Sequence, residues 1–475
     1  MNNPKYQLQS SLPQLSAHPR FGPMSKSIKI VLMVLLHILL ALTMRSHKLL
    51  STLHAMAVLA IGVYTALTSK DIKEIIPIAG YITGAEVLWR MTKAGVFWEF
   101  GKYATIAILI LALLKMGKIK RAVLPLLFFI VLIPSAALTV GAFGWSERAR
   151  ELISFNMSGP LATSVCILFF SQIKADPNEL RNWVWPTVYP IISILTLAIF
   201  STITATTINF VAESVFVTSG GFGPNQVSAV LGLGALLLVL QTVTVDKRDG
   251  RFLALGFALV FLVQSFLTFS RGGLYNFAIA LIGSVLHLLA KPNRFVRSIF
   301  TISLILLLMM AFILPQLEQF TGGTLSKRFL DTDVASRESL SKADFQIFSE
   351  NPAFGVGPGM AMYFRRGAVF AAAHTEYTRI LAEHGSGGVL ALLILMLLLL
   401  LSYFKAPDAV SRAWMVGLAG WSLVEMGHAA MRLVAISFLL GWATISWEKT
   451  ENTTMVDQAE KASLPLSKEK YGSGF

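Results

Sequence analysis

Solid apolar runs of about twenty residues recur along this chain, joined by short polar or basic connections, until one long polar stretch interrupts them. Residues 302–314 and 389–401 are apolar almost without a break and show no alternation. A helix that crosses a bilayer needs about 20 mostly apolar residues, and inside lipid only helices and closed barrels satisfy their own backbone hydrogen bonds. Barrel strands alternate over segments of about ten residues, so the pattern predicts an all-α, polytopic transmembrane helix bundle. About fourteen spans are expected, near 27–44, 49–67, 75–90, 103–116, 122–140, 158–173, 186–204, 227–245, 252–269, 273–290, 298–315, 387–404, 413–428 and 431–447. A polar tail (1–25), a bundle (26–315), a loop subdomain (316–386), further spans (387–447) and a second polar tail (448–475) follow from this division. No cleavable signal segment is expected, because the first apolar run follows a polar leader and lacks a small-residue cleavage pattern.

The long break carries its own structure. Leu340, Ala343 and Ile347 fall at helical spacing, and Asn351-Pro352 ends that helix because a residue before proline avoids the helical region. Gly355-Val356-Gly357-Pro358-Gly359 predicts a tight turn with positive φ or close backbone approach. A second helix is expected from Thr375, as its cap, to His384, with a stop at Gly385. His374 then stands beside a helix N-terminus, where free N–H groups attract anions.

Composition agrees with the pattern: 475 residues are 55% hydrophobic and 14% charged. Soluble domains carry about 25% charged residues, so a soluble fold is excluded. The net charge of +14 does not call for nucleic acid, because basic residues gather on the cytoplasmic side of membrane proteins. With both termini inside, 24 Lys and Arg lie inside and 16 outside, and seven of the latter lie in the long loop. Long loops cross with little regard to charge, so the loop is expected to be extracytoplasmic and the chain to sit in a bacterial inner membrane. The single cysteine, Cys166, excludes an intramolecular disulfide.

Arginines on that outer face are natural phosphate ligands. Arg148 and Arg150 lie in Trp145-Ser146-Glu147-Arg148-Ala149-Arg150-Glu151, Arg271 lies between Ser270 and Gly272-Gly273, and Arg337 precedes the first loop helix. His374 suits a general base. Arg365, Arg366, Glu376 and Tyr377 share its loop, and Asn225 follows the glycine-rich stretch 220–224; these are candidate substrate contacts. No metal-ligand spacing appears, and no metal or cofactor is expected. Glu86 and Arg90, one turn apart, and Glu425, His428 and Arg432 are ionisable groups at or near membrane depth and functional suspects by default.

Ser270-Arg271-Gly272-Gly273 at a span junction, Gly220-Gly221-Phe222-Gly223-Pro224-Asn225-Gln226, residues 153–161 and the loop series Arg337, Asn351 to Gly359, His374-Thr375-Glu376-Tyr377 and Glu383-His384-Gly385 together resemble the O-antigen ligase and O-antigen polymerase superfamily. The resemblance is strongest from about 205 to 390. It implies a metal-independent, inverting glycosyltransferase that moves a glycan from undecaprenyl diphosphate to an acceptor hydroxyl during surface polysaccharide polymerisation or ligation. His374 matches the family's loop histidine, which acts as base or acceptor-positioning group; Arg271 and Arg337 match the arginines that hold the diphosphate. The family often has Asn after the histidine, where Thr375 stands here, and its usual span count is twelve. Implied partners are the polyprenyl-diphosphate-linked donor, a glycan or lipid acceptor, membrane lipids and a chain-length regulator protein. A rival reading is a transporter or flippase of anionic glycolipid, which places ionisable groups near the bilayer midplane and shows repeat symmetry; a third is a docking loop for an envelope protein, with Phe364 and Phe370 as anchors.

Overall fold

In the computed structural model, residues 26–448 are described except 118, 121, 177–178, 212, 246–249, 331–334 and 366–372, and for 335–337 the backbone alone. Both expected tails, 1–25 and 449–475, and the candidates Arg366 and Phe370 lie outside the described residues. The described chain is an all-α polytopic helix bundle, and the protein is a multi-pass membrane protein.

Helices α1 (Lys26–Ser46), α2 (Lys48–Thr68), α3 (Ile75–Met91) and α4 (Phe100–Met116) begin the bundle. The span expected at 122–140 is two short helices, α5 (Val123–Ile130) and α6 (Ala136–Phe143), joined by a 3-10 turn at Pro134. Next come α7 (Glu147–Phe170), α8 (Leu180–Thr204), α9 (Pro224–Thr244), α10 (Arg251–Leu267) and α11 (Arg271–Leu288). Helix α12 (Pro292–Leu308) passes through a π-helical turn into α13 (Leu314–Phe320), and the loop region holds α14 (Thr324–Leu330), α15 (Ala335–Glu350) and α16 (Ala361–Phe364). The last helices are α17 (Glu376–Lys405), α18 (Ala409–Met426) and α19 (Val434–Trp442).

Every expected span falls on helix, but among the described residues only eight segments are long and apolar enough to cross a membrane by length and composition. The others are shorter, as in the nine-residue α19, or interrupted by buried polar residues such as Asn276 and Glu425. Two two-residue strands depart from an all-helical reading: Lys174–Ala175 pairs in parallel with Ser446–Trp447.

Helix α9 is the axis of the bundle and is buried along its whole apolar window, packed by α8, α10, α11 and α18. Ser228 and Gly232, one turn apart, let the backbone of α11 approach at Gly273, where a Cβ would fall within 2.6 Å of Ser228 Oγ. Small residues at four-residue spacing allow such close crossings in a membrane, where apolar surface alone does not drive association.

The glycine-rich turn has the expected conformation: Gly355, Gly357 and Gly359 have φ of 66°, 98° and 75°. Val356 N–H donates to the Ala382 carbonyl (3.0 Å) and Gly357 N–H to that of Glu383 (2.9 Å), so the turn lies directly on the last helical turn before Gly385. Helix α15 ends at Glu350, just before Asn351-Pro352. At α17, Thr375 holds the capping position with extended backbone, but its hydroxyl makes no cap bond; the ion pair between Glu376 and Arg379 holds that first turn instead. Gly385 breaks the helix (φ 58°, ψ −131°), which resumes at once and runs on to Lys405.

Candidate functional site

One end of the bundle gathers the C-terminus of α3, the N-termini of α4, α7, α9, α11, α17 and α19, and the loop region. A cavity of about 770 Å³ opens there, walled by Phe97 and Tyr103 near the start of α4, residues 148–156 of α7, Gly359 to Arg365 of the loop, and Arg379 and Glu383 of α17. Of the sequence candidates, Arg148, Arg150 and Arg365 line it. Arg148 and Arg150 are exposed at the rim and pair along their own helix with Glu151 (3.5 Å) and Glu147 (3.1 Å); Arg148 also donates to the Tyr363 hydroxyl (2.8 Å). Arg365 is buried and donates to Asp344 of α15 at 2.8 Å, a pair that ties the loop helices together.

The inner wall is organised by Arg379, which spacing alone did not single out. Its guanidinium bonds both Glu376 oxygens, Glu383 Oε2 (2.6 Å), Asn156 Oδ1 (3.3 Å) and the Asn156 carbonyl (3.2 Å). That carbonyl is free because Pro160, four residues on in α7, has no N–H to donate. Glu376 also accepts from Met431 N–H (3.1 Å), so α17 is bound to the turn between α18 and α19. Glu86 of α3 pairs with Arg90 (2.8 Å) and accepts from Val434 N–H (2.8 Å), doing for the start of α19 what no local side chain does. The suspect pair of the sequence is therefore a structural clasp at the edge of the site. A smaller recess of about 30 Å³ adjoins the cavity between Lys102, Arg379 and Arg432. Arg432 donates to the Ala373 carbonyl at 2.9 Å, next to His374.

His374 is half-buried, two residues before α17, between a cavity-lining alanine and the capping position. Tyr377 points elsewhere, its hydroxyl donating to the Leu423 carbonyl (2.8 Å). Arg337 lies in the first turn of α15.

Arg271 does not line the cavity. It starts α11 in a second polar cluster at the same end, where Ser270 Oγ donates to Asn225 Oδ1 (2.8 Å) and Ser228 Oγ to the Ser270 carbonyl (2.9 Å). Phe269, at φ 57°, turns the chain sharply just before it, with Arg328 bonded to its carbonyl at 3.0 Å. A Cβ at Gly272 would lie 2.9 Å from Nδ1 of His428. His428 in turn meets Asn276 (2.8 Å) and Glu425 (3.4 Å). The turn after α18 thus begins against Arg271's helix and ends, four residues later, at Arg432 in the recess.

Residues 255–393 match a family model described as O-antigen ligase. Over that region the match supports membership of the O-antigen ligase and polymerase superfamily. The match reaches from α10 into α17 and takes in Arg271, Arg337 and His374, together with Arg365, Arg379 and Glu383 of the cavity's loop wall. Its other wall, with Lys102, Arg148 and Asn156, lies outside the matched region. No curated protein matches the chain. Among the described residues, no group of three or more His, Cys, Asp or Glu is arranged to hold a metal ion. Lys102 had one signal in the sequence: a lone ammonium two residues inside an apolar helix, costly unless it serves something.

Proposed function

We propose that this ligase-superfamily protein transfers a glycan from undecaprenyl diphosphate to an acceptor hydroxyl on the extracytoplasmic side of a bacterial inner membrane, in polymerising or ligating a surface polysaccharide. The observation that carries the reading is that the region matching the O-antigen ligase model supplies one wall of an arginine-lined cavity, with Arg365, Arg379 and Glu383. The acceptor oxygen attacks the anomeric carbon, the bond from that carbon to the phosphate oxygen breaks, and the electron pair leaves with the diphosphate. The hydroxyl proton passes to His374, and inversion follows from the single displacement. Fixed guanidinium groups stabilise charge that grows on a leaving group without having to reorganise, the role assigned to Arg271 and Arg337. Arg148 and Arg150 at the rim and Asn225 beside Ser270 contact the substrate, and the lipid tail lies along the apolar helices. The chemistry asks for no metal, and a chain-length regulator is a natural partner if the product is a polymer.

The test is transfer by purified protein from a polyprenyl-diphosphate-linked oligosaccharide with EDTA present. Wild type should form longer or relocated glycan, and His374→Ala and Arg271→Ala should each lower the rate by about a hundredfold or more while remaining folded. Donor that binds but is never consumed by wild type would replace transfer with transport.

A further inference from the structure

Lys102 is 1% exposed. Its ammonium donates to Ser158 Oγ at 3.2 Å and stands 6.0 Å from the centre of the Phe155 ring. Among the described residues no carboxylate lies within ion-pair distance of it; Glu86, Glu99 and Glu376 act on it only from farther away. The carboxylates of the inner wall are otherwise engaged, Glu376 and Glu383 by Arg379 and Glu86 by Arg90. An ammonium taken out of water without a counter-ion is expensive and is retained where it meets an anion from outside.

The surroundings fit such an anion. The recess has Lys102, Arg379 and Arg432 on its walls beside one carboxylate, Glu376, which Arg379 already pairs, and it shares Phe155, Asn156, Ala373 and Arg379 with the large cavity. Its volume, about 30 Å³, holds about two water-sized groups, which suits phosphate oxygens rather than a sugar ring. Lys102 is brought there by the close packing of α3 on α4: a Cβ at Gly101 would fall 2.9–3.0 Å from the Glu86 side chain.

We infer that the recess seats the non-bridging oxygens of a diphosphate, and that Lys102 contacts them directly as a cation with no carboxylate partner among the described residues. This deepens the function proposed above and rests on it only for the identity of the donor. The ammonium carries no bond-making role; it holds charge that grows as the diphosphate leaves.

The experiment measures inorganic pyrophosphate binding to full-length protein in detergent by titration calorimetry, beside thermal unfolding. Lys102→Met should weaken binding by about tenfold or more, as expected for loss of a charge-assisted hydrogen bond, with an unfolding temperature equal to or above that of wild type. Lys102→Arg should keep affinity within a few-fold. Ser158→Asp, which supplies an internal counter-ion, should abolish binding and stabilise the fold, and decides the question if Lys102→Met does not fold. Unchanged affinity in Lys102→Met or in Ser158→Asp overturns the proposal, as does a Lys102→Met variant that only lowers stability. Transfer by wild type with pyrophosphate binding indifferent to Lys102 defeats the recess and spares the transferase; binding that depends on Lys102 without any transfer does the reverse.

Discussion

At the residue scale the decisive group is Arg379, because it answers two carboxylates that no other cation pairs among the described residues. Glu376 is 1% and Glu383 3% exposed, and both meet the same guanidinium. Removing one partner from a buried ionic group leaves uncompensated charge and costs about 3–5 kcal/mol. Arg379→Met is therefore expected to destabilise by that order, and denaturant unfolding in detergent would read it. Replacing all three residues with apolar ones of similar volume should recover much of the loss, because the pair itself yields little net stability once desolvation is counted. Recovery of stability without recovery of transfer would separate the cluster's structural part from its part in the site.

At the element scale the site depends on where α17 breaks. Gly385 holds φ 58°, and a Cβ there would come within 2.6 Å of the Gly355 nitrogen and 2.7 Å of the Pro352 carbonyl oxygen. Alanine has no room and an unfavourable backbone, a strain of about 1–3 kcal/mol. Gly385→Ala is expected to lower the unfolding temperature and to reduce transfer more than Gly387→Ala, whose φ is ordinary but which also meets backbone; equal activity in the two would remove the break from the mechanism. The sequence was legible here: glycine, proline and the apolar runs each act locally, so the turn at 355–359, the end of α15 and the break at Gly385 could be read from the residues themselves. The partners of Arg379, the clasp of Glu86 on Val434 and the recess around Lys102 join helices far apart in the chain. No local period encodes them. Arg148, Arg150 and Arg365, which line the cavity, stood out in the sequence because an arginine near a membrane face is conspicuous alone. Tyr377, chosen by nearness to His374, bonds α18 instead: His374 precedes the helix and Tyr377 lies inside it, so nearness in sequence does not fix a common direction.

At the scale of the whole molecule, the proposal that the cavity faces the extracytoplasmic side rests on charge. The helix directions put the starts of α7 and α17 at the cavity end and the pair of Lys174 with Ser446 at the other. Short basic connections, such as Lys115 to Lys120 and Lys291 to Arg297, belong to that other end, and the positive-inside rule is the ground for proposing that they face the cytoplasm. Cys166 is fully buried and the only cysteine of the chain, so wild type gives a silent background for labelling. Trp145, 95% exposed between α6 and α7, and Lys174, exposed at the opposite end, are suitable probes. In intact spheroplasts an impermeant maleimide should label Trp145→Cys and spare Lys174→Cys, and in inside-out vesicles the order should reverse. The opposite result would place the cavity in the cytoplasm. A polyprenyl-diphosphate donor would then have to react before it crosses the membrane, and the arginine-lined end would face the compartment in which soluble anions compete for it.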